Sequence, residues 1–400
     1  LYTEGMDQVR TILQSHPHWP AVEAIYHRLA GEGYKAFLAG GCVRDALLGF
    51  KANDLDIATD ATPETIENLF EKTINVGKVF GVMRVLVGGA DIEVATFRND
   101  GNYQDGRRPD HVVFSTPEED AERRDFTVNA LFYDLENHRI LDFVNGQVDL
   151  KKQILRTVGD PRKRFQEDHL RLLRGARFAA QLDFAVEPNT LAAMTEMASA
   201  VKTVSGERLR DEMGKLLKSK NVSLGLRVMQ DTGLQSELFP WRAPDVSWTA
   251  YPGCEIWQNL SLFLRTAQKF DLEKSIELLR LSTKEKRGIE DAWELWQNPE
   301  EFFTQRLGLQ IQLLQKPGKQ WALEVLMKEG RLEEQILSLF IQRRDLGEEL
   351  PKPILNGEDL KGKLQGPAIG QCLQEAYFLQ LEGTLKERKQ ALSWLEGYLK

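Results

Sequence analysis

Four hundred residues exceed one ordinary domain, so roughly two to four structural units are expected. With 42% hydrophobic and 28% charged residues, no biased tract and no apolar run of membrane-spanning length, the composition excludes disordered, fibrous and membrane-embedded classes. A formal charge of −8 excludes a protein that coats nucleic acid through charge alone. A local basic patch exists all the same: Lys151 to Arg177 holds nine Lys or Arg against three acidic residues. Cys42, Cys254 and Cys372 lie far apart without CxxC spacing, and the N-terminus has no basic-then-apolar leader pattern. Reduced thiols in a cytoplasmic protein follow, rather than a zinc site.

In chain order, Tyr34 to Gly41 reads as a short strand ending in a glycine pair, and Val43 to Leu48 begins a helix that Gly49 can terminate. Leu55 to Thr59 reads as a strand, and Thr62-Pro63-Glu64 opens a helix running to about Lys72. Val82 to Val87, Gly88-Gly89 and Asp91 to Arg98 predict a β-hairpin. The polar stretch Asn99 to Asp110 reads as a mobile loop. From about Phe126 helices are expected to take over, with one strand near Ile140 to Phe143. Beyond Lys151 the pattern is almost entirely helical, with breaks near Pro188, Ser205-Gly206, Pro240 to Pro252 and Leu350 to Pro353.

Asp54-Leu55-Asp56-Ile57 places two carboxylates on one strand face, with Leu55 and Ile57 turned to a core. Like charges side by side are unfavourable unless a cation lies between them, and Mg²⁺, a hard ion preferring oxygen, is the natural candidate. Glu93, on the hairpin strand, is a plausible third carboxylate; metal ligation is assigned to Asp54 and Asp56. By itself an Asp-x-Asp is more often a solvated strand end. Its context is a turn, Gly40-Gly41, followed by Cys42-Val43-Arg44-Asp45. Glycines at Gly40 and Gly41 let a phosphate approach the backbone, and Arg44 can add a charge-assisted contact. A phosphate cradle shortly before paired carboxylates suits two-metal phosphoryl transfer.

GGCVRDALLG followed by DLDIAT resembles the signature of the bacterial class II CCA-adding enzymes and the related poly(A) polymerases. The likeness continues in order. Arg123 to Ala130 is similar to the second motif, Leu155 to Pro161 to the third, and Glu167-Asp168-His169-Leu170-Arg171 with Arg174 and Arg177 to the fourth. Glu207-Arg208 with Glu212 and Lys215 resembles the fifth. The resemblance implies an α+β fold: a polymerase-beta-like nucleotidyltransferase head with a mixed sheet, then an all-helical neck, body and tail. The expected boundaries are 1–150, 151–218, 219–345 and 346–400. It implies transfer of C and A from CTP and ATP to the 3′ end of tRNA, with Asp54, Asp56 and Glu93 catalytic and Arg124, Arg174 and Arg177 on the nucleotide phosphates.

Asp168, Arg171 and Arg174 recur every third residue, which predicts a slanting row on one helix face. A surface charge pair is the bland alternative. An Asp acceptor and an Arg fork would match the amino group and ring acceptor that cytosine and adenine share, and repel the carbonyls of uracil and guanine. Asp125 and Asn129 read equally well as caps or as site residues. The basic run Arg162-Lys163-Arg164 would meet RNA backbone or simply be solvated, and Lys352 to Gly370 resembles a tail segment of these enzymes.

Two departures bear on specificity. No His-Asp dipeptide occurs, so an appended phosphohydrolase domain is not indicated. Phe80-Gly81-Val82 stands where many CCA-adding members carry His-Gly-Thr, which leaves CC-only and A-only addition as alternatives; a poly(A) polymerase and a non-catalytic RNA-binding protein are the rival readings. Arg98 to Pro109 preserves the polar loop associated with terminal A addition.

Overall fold

The computed structural model describes residues 2–101, 111–242, 247–248, 251, 253–347 and 349–400. The chain divides into two compact units, Leu1–Ala250 and Tyr251–Lys400.

The first unit opens with helices α1 (Tyr2–Gln14) and α2 (Trp19–Gly31), followed by β1 (Ala36–Ala39) and α3 (Gly41–Leu47). Next come β2 (Ile57–Thr59), α4 (Pro63–Leu69), β3 (Thr73–Gly77), β4 (Val82–Val87) and β5 (Ala90–Thr96). A small ribbon, β6 (Arg98–Asp100) with β7 (Val112–Phe114), leads to α5 (Pro117–Glu122), β8 (Leu131–Asp134) and β9 (Arg139–Asp142). Seven of these strands form one sheet in the order β3-β4-β5-β2-β1-β8-β9. It is mixed: β2 and β5 run parallel and the other neighbours antiparallel. The β4–β5 hairpin turns at Gly88 and Gly89, both at positive φ (59° and 80°), the backbone that a tight two-residue hairpin loop requires.

Two expectations need correction here. Asp54 and Asp56 lie just before β2, not within it, although the alternation holds: Leu55 and Ile57 are buried. The backbone is still tied down at this point, because Asp56 C=O accepts from the Ala39 N–H at 3.0 Å. Helices also do not take over from Phe126. Leu131 to Asp134 is β8, buried along its whole length beside β1. A short apolar run buried on both faces carries no alternation, so periodicity cannot separate it from a helix turn.

Helices α6 (Gly146–Lys152), α7 (Pro161–Glu167), α8 (Leu170–Leu182), α9 (Pro188–Glu196) and α10 (Gly206–Leu216) follow, with one short parallel strand pair, Ile154–Leu155 and Ala185–Val186. Their starts are written locally. Asp160 caps α7 by accepting from Arg162 N–H at 3.0 Å, with Pro161 at the first helical position. Helices Val222–Asp231 and Leu234–Leu238 complete this unit.

Among the described residues, the regular elements of the second unit are all helices. Trp296 donates its indole N–H to Ala322 C=O at 3.1 Å, and Trp321 donates to Ser261 Oγ at 3.0 Å, so its large buried rings are also satisfied. Its C-terminal part has its own small core around Leu360, Cys372, Ala391 and Leu395. Among the described residues no helix is long and apolar enough to cross a membrane.

Candidate active site

A cavity of about 570 Å³ opens in the first unit, floored by the sheet ends and walled by α8 and α10. Of the residues expected from sequence, it gathers Gly41, Arg44, Asp56, Glu93, Arg124, Asp168, Arg171, Arg174 and Arg177. Asp54 is exposed and is not among the residues that line it.

The carboxylate edge is a product of sheet pairing. Parallel register sets Ile57 against Val94, so Asp56 and Glu93, each one residue earlier, fall side by side. The crowding is visible in their ionisation. Asp56 is pushed up to about 6, by burial first and then by the charges of Glu93 and Asp54, with Arg124 opposing. Glu93 is raised too, by its surroundings first and by Asp54, while Arg84 opposes. Asp91, two residues along the same strand face, is held by Arg84, whose Nε donates to it at 2.8 Å. Two carboxylates held up by burial and neighbouring acids, with all-oxygen donors, fit a hard divalent cation. Among the described residues no three His, Cys, Asp or Glu converge tightly enough to enclose an ion unaided. Magnesium suits such an open edge, because it keeps water and phosphate ligands beside one or two carboxylates.

The opposite walls are cationic. Arg124 is held on the buried Asp120, with Nη2 donating to Oδ2 at 2.9 Å, while Nη1 donates to Asn129 C=O at 3.2 Å. Its guanidinium stands 4.8 Å from the Phe132 ring centroid. Arg44, Arg174 and Arg177 surround the ring of Phe178, at 5.5, 5.2 and 3.7 Å from its centroid. Arg44 is buried and already donates to Asp45 and Asn129. Arg174 Nε donates to Asp125 at 2.9 Å, and Arg177 to Glu212 and, at 2.6 Å, to Gln181.

Gly40 turns the chain between β1 and α3 at φ 74°. A Cβ there would stand 3.0 Å from Arg124 Nη1. Gly40→Ala is therefore expected to cost roughly 1–2 kcal/mol of stability and to displace Arg124. Thermal melts and nucleotide titrations check this: affinity for a nucleoside triphosphate should fall, and an unchanged affinity would remove Arg124 from the path of a bound nucleotide.

The expected row of Asp168, Arg171 and Arg174 is not a single helix face. Asp168 sits in the α7–α8 junction with extended backbone (φ −146°, ψ 106°), and α8 begins two residues later. Its Oδ1 accepts from Leu170 N–H at 3.1 Å, a local side-chain-to-backbone bond that competes with helix continuation. Arg171 and Arg174 do share α8. Arg171 is locked by Glu167 Oε2 at 2.6 Å, Arg164 C=O at 3.0 Å and Arg123 C=O at 3.2 Å.

With this geometry in hand, two family models match: the poly A polymerase head domain over residues 36–156, and the probable RNA and SrmB- binding site of polymerase A over residues 183–244. A CCA-adding enzyme of Bacillus pumilus is 46% identical over 215 residues, 54% of each chain; such alignments span about half the length of these relatives. A CCA-adding enzyme of Staphylococcus saprophyticus is 32% identical over 391 residues, covering 93% of this chain and 96% of the relative. The chain belongs to the CCA-adding enzyme family. A Bacillus stearothermophilus CCA-adding enzyme, solved in complex with CTP, superposes with a TM-score of 0.79 at 29% identity, over 96% of this chain and 98% of that one.

Within this CCA-adding family fold, several charges in and behind the cavity wall have partners that no local pattern in the sequence gives. Asp125, open between cap and site residue on sequence grounds, is buried in the cavity wall and held well below the usual carboxylate range; Arg174 and Arg171 and a hydrogen bond from Asn129 outweigh burial. Arg208 pairs with Asp168 across 40 positions, donating from Nη2 at 2.7 Å and from Nη1 at 3.1 Å. Asp120 binds both Arg123 and Arg124. Arg208 and Asp125 lie in motifs legible in the sequence, though their partners are not; Asp120 shows there only as an acid in the first turn of a helix opened by Thr116-Pro117.

Proposed function

We propose that this chain adds C and A nucleotides to the 3′ end of tRNA from CTP and ATP, releasing pyrophosphate. The observation that carries the reading is that one cavity joins the Asp56–Glu93 edge, a wall of arginines and the Asp168–Arg171 pair. The relatives are named for CCA addition, and a homologue of similar length holds CTP. Head, neck, body and tail are assigned to 1–150, 151–218, 219–345 and 346–400, the last contacting tRNA, and the reaction belongs in the cytoplasm.

Asp54 and Asp56, with Glu93 beside them, would hold Mg²⁺. Bound there, the ion supplies charge neutralisation at the attacking and departing oxygens. The residues do the rest. Arg124, Arg174 and Arg177 hold the triphosphate so that its α-phosphorus faces the carboxylate edge. The Asp168 carboxylate receives the amino group of cytosine or adenine, and Arg171 donates to the neighbouring ring acceptor. The 3′-hydroxyl oxygen of the RNA then gives up its proton to water and bonds to the α-phosphorus as the bridge to pyrophosphate breaks.

The test offers tRNA lacking CCA, tRNA lacking only the final A, complete tRNA and an unstructured RNA, each with single nucleotides. Addition that stops at CCA supports the reading; a single A or long A tails would replace it with an A-adding enzyme or a poly(A) polymerase. Phe80-Gly81-Val82 is the feature that favours this second reading.

The polar loop expected at Asn99 to Asp110 lies, for residues 102–110, outside the described residues. Shortening it between the stems β6 and β7 is expected to impair the final A more than either C, since one pocket must reshape between bases. Single-nucleotide extension assays check this, and equal loss at all three positions would make the loop a general support.

A further inference from the structure

We infer that Arg208 is a specificity-determining positioning residue: it aims the Asp168 carboxylate at the base and settles which nucleotides enter. The inference rests on the proposed role of Asp168 in base selection. A carboxylate offers about four lone-pair positions, two on each oxygen. Arg208 takes one on each with a bidentate fork, at 3.1 Å on Oδ1 and 2.7 Å on Oδ2. Leu170 N–H takes the second position on Oδ1 at 3.1 Å. One acceptor position remains, on Oδ2, and it belongs to a side chain in the cavity wall. The carboxylate therefore presents a single acceptor with its plane fixed.

Rigidity matters because Asp168 lies in an extended junction between α7 and α8, where helix geometry does not orient its side chain. The fork comes from elsewhere in the fold. Arg208 stands in the first turn of α10, which packs against α8, so the orientation of Asp168 depends on the seating of two helices. Both partners are largely shielded, with 24% and 17% of their side chains exposed, and such a bidentate pair keeps its geometry better than a surface ion pair. Without Arg208 the carboxylate can rotate about its terminal torsion, a broad and soft coordinate, and the fixed acceptor is lost. Triphosphate binding, which uses Arg124, Arg174 and Arg177, is not touched.

The experiment measures kcat/KM for CTP, UTP, ATP and GTP in Arg208→Ala, Arg208→Lys, Asp168→Ala and the double variant, with thermal melts confirming folded protein. In Arg208→Ala the CTP-over-UTP and ATP-over-GTP ratios should fall roughly tenfold, the worth of one charge-assisted hydrogen bond. Arg208→Lys should recover only part of this, since an ammonium cannot make the fork. The double variant should discriminate no worse than Asp168→Ala, because the two residues act as one unit. If Asp168→Ala loses selectivity while Arg208→Ala and Arg208→Lys keep it, the inference fails and the reading of Asp168 stands. Additive losses in the double variant would also overturn the inference. If neither single variant changes the ratios, the role of Asp168 itself falls. Should Arg208→Ala not fold, the lysine variant carries the same comparison.

Discussion

Asp56→Asn is expected to abolish nucleotide incorporation and yet, in the absence of divalent metal, to unfold at a higher temperature than the unsubstituted protein at neutral pH. The reason is the position of its carboxyl, pushed up to about 6 from an ordinary 3.8 by burial, Glu93 and Asp54. A raised acid reverses the usual sign for aspartate. The fold disfavours the ionised form, so the penalty is absent below about pH 4 and complete above about pH 6; stability is lost as pH rises through that window. At 1.36 kcal/mol per unit, discounted for partial exposure, the relief from a neutral side chain is about 1–2 kcal/mol. Melts in chelator at pH 4.5 and 7.5 check the sign. The variant's advantage should be present in full at the higher pH and shrink markedly at the lower.

Mg²⁺ with CTP should stabilise the unsubstituted protein more than the variant, because the variant loses one of the carboxylates proposed to hold the ion. Binding of tRNA should be nearly unchanged, since the role proposed for these carboxylates is in the chemistry rather than in docking. Near-normal turnover by Asp56→Asn with Mg²⁺ would sink the assignment. Asp54→Ala should behave alike in activity. Glu93→Ala should lose most activity as well, and Asp91 is poorly placed to substitute because Arg84 already binds it.

The second large effect concerns Asp168→Ala. The substitution removes the acceptor proposed for the amino group of C and A and leaves the Arg208 fork without its carboxylate in the cavity wall. A freed guanidinium is a ready donor to the carbonyls of uracil and guanine, so repulsion turns into attraction. The CTP-over-UTP ratio should fall by ~1.5–3 kcal/mol, or roughly 10- to 100-fold. Correct incorporation should slow while UMP and GMP incorporation rises relative to it. Arg171→Ala should differ. It removes the donors proposed for both proper bases, together with the bonds that Arg171 gives to the carbonyls of Arg123 and Arg164. C and A addition should weaken with no gain of U. Full selectivity against UTP and GTP in folded Asp168→Ala protein would mean that base choice lies elsewhere.

Local chemistry was sufficient for much of this molecule. The alternation that buries Leu55 and Ile57, the glycine pair of the β4–β5 hairpin and the Thr, Asp and Pro caps of α4, α5 and α7 each depend on residues a few positions apart. So does the Gly40-Gly41 turn, and the order of motifs along the chain sufficed to expect an α+β nucleotidyltransferase. The tertiary structure decided which charges meet. Asp56 stands beside Glu93 because β2 and β5 pair in parallel, with β3 and β4 lying between them in sequence. Arg174 meets Asp125 across 49 positions, and Arg208 meets Asp168 across 40. Spacing of three residues suggested that Asp168 belonged to the α8 row; a bond from Leu170 N–H to its side chain holds it in an extended junction instead. Sequence periodicity reports only which residues share a face of one element. Ion-pair partners are chosen by the packing of separate elements, and no local pattern records that choice.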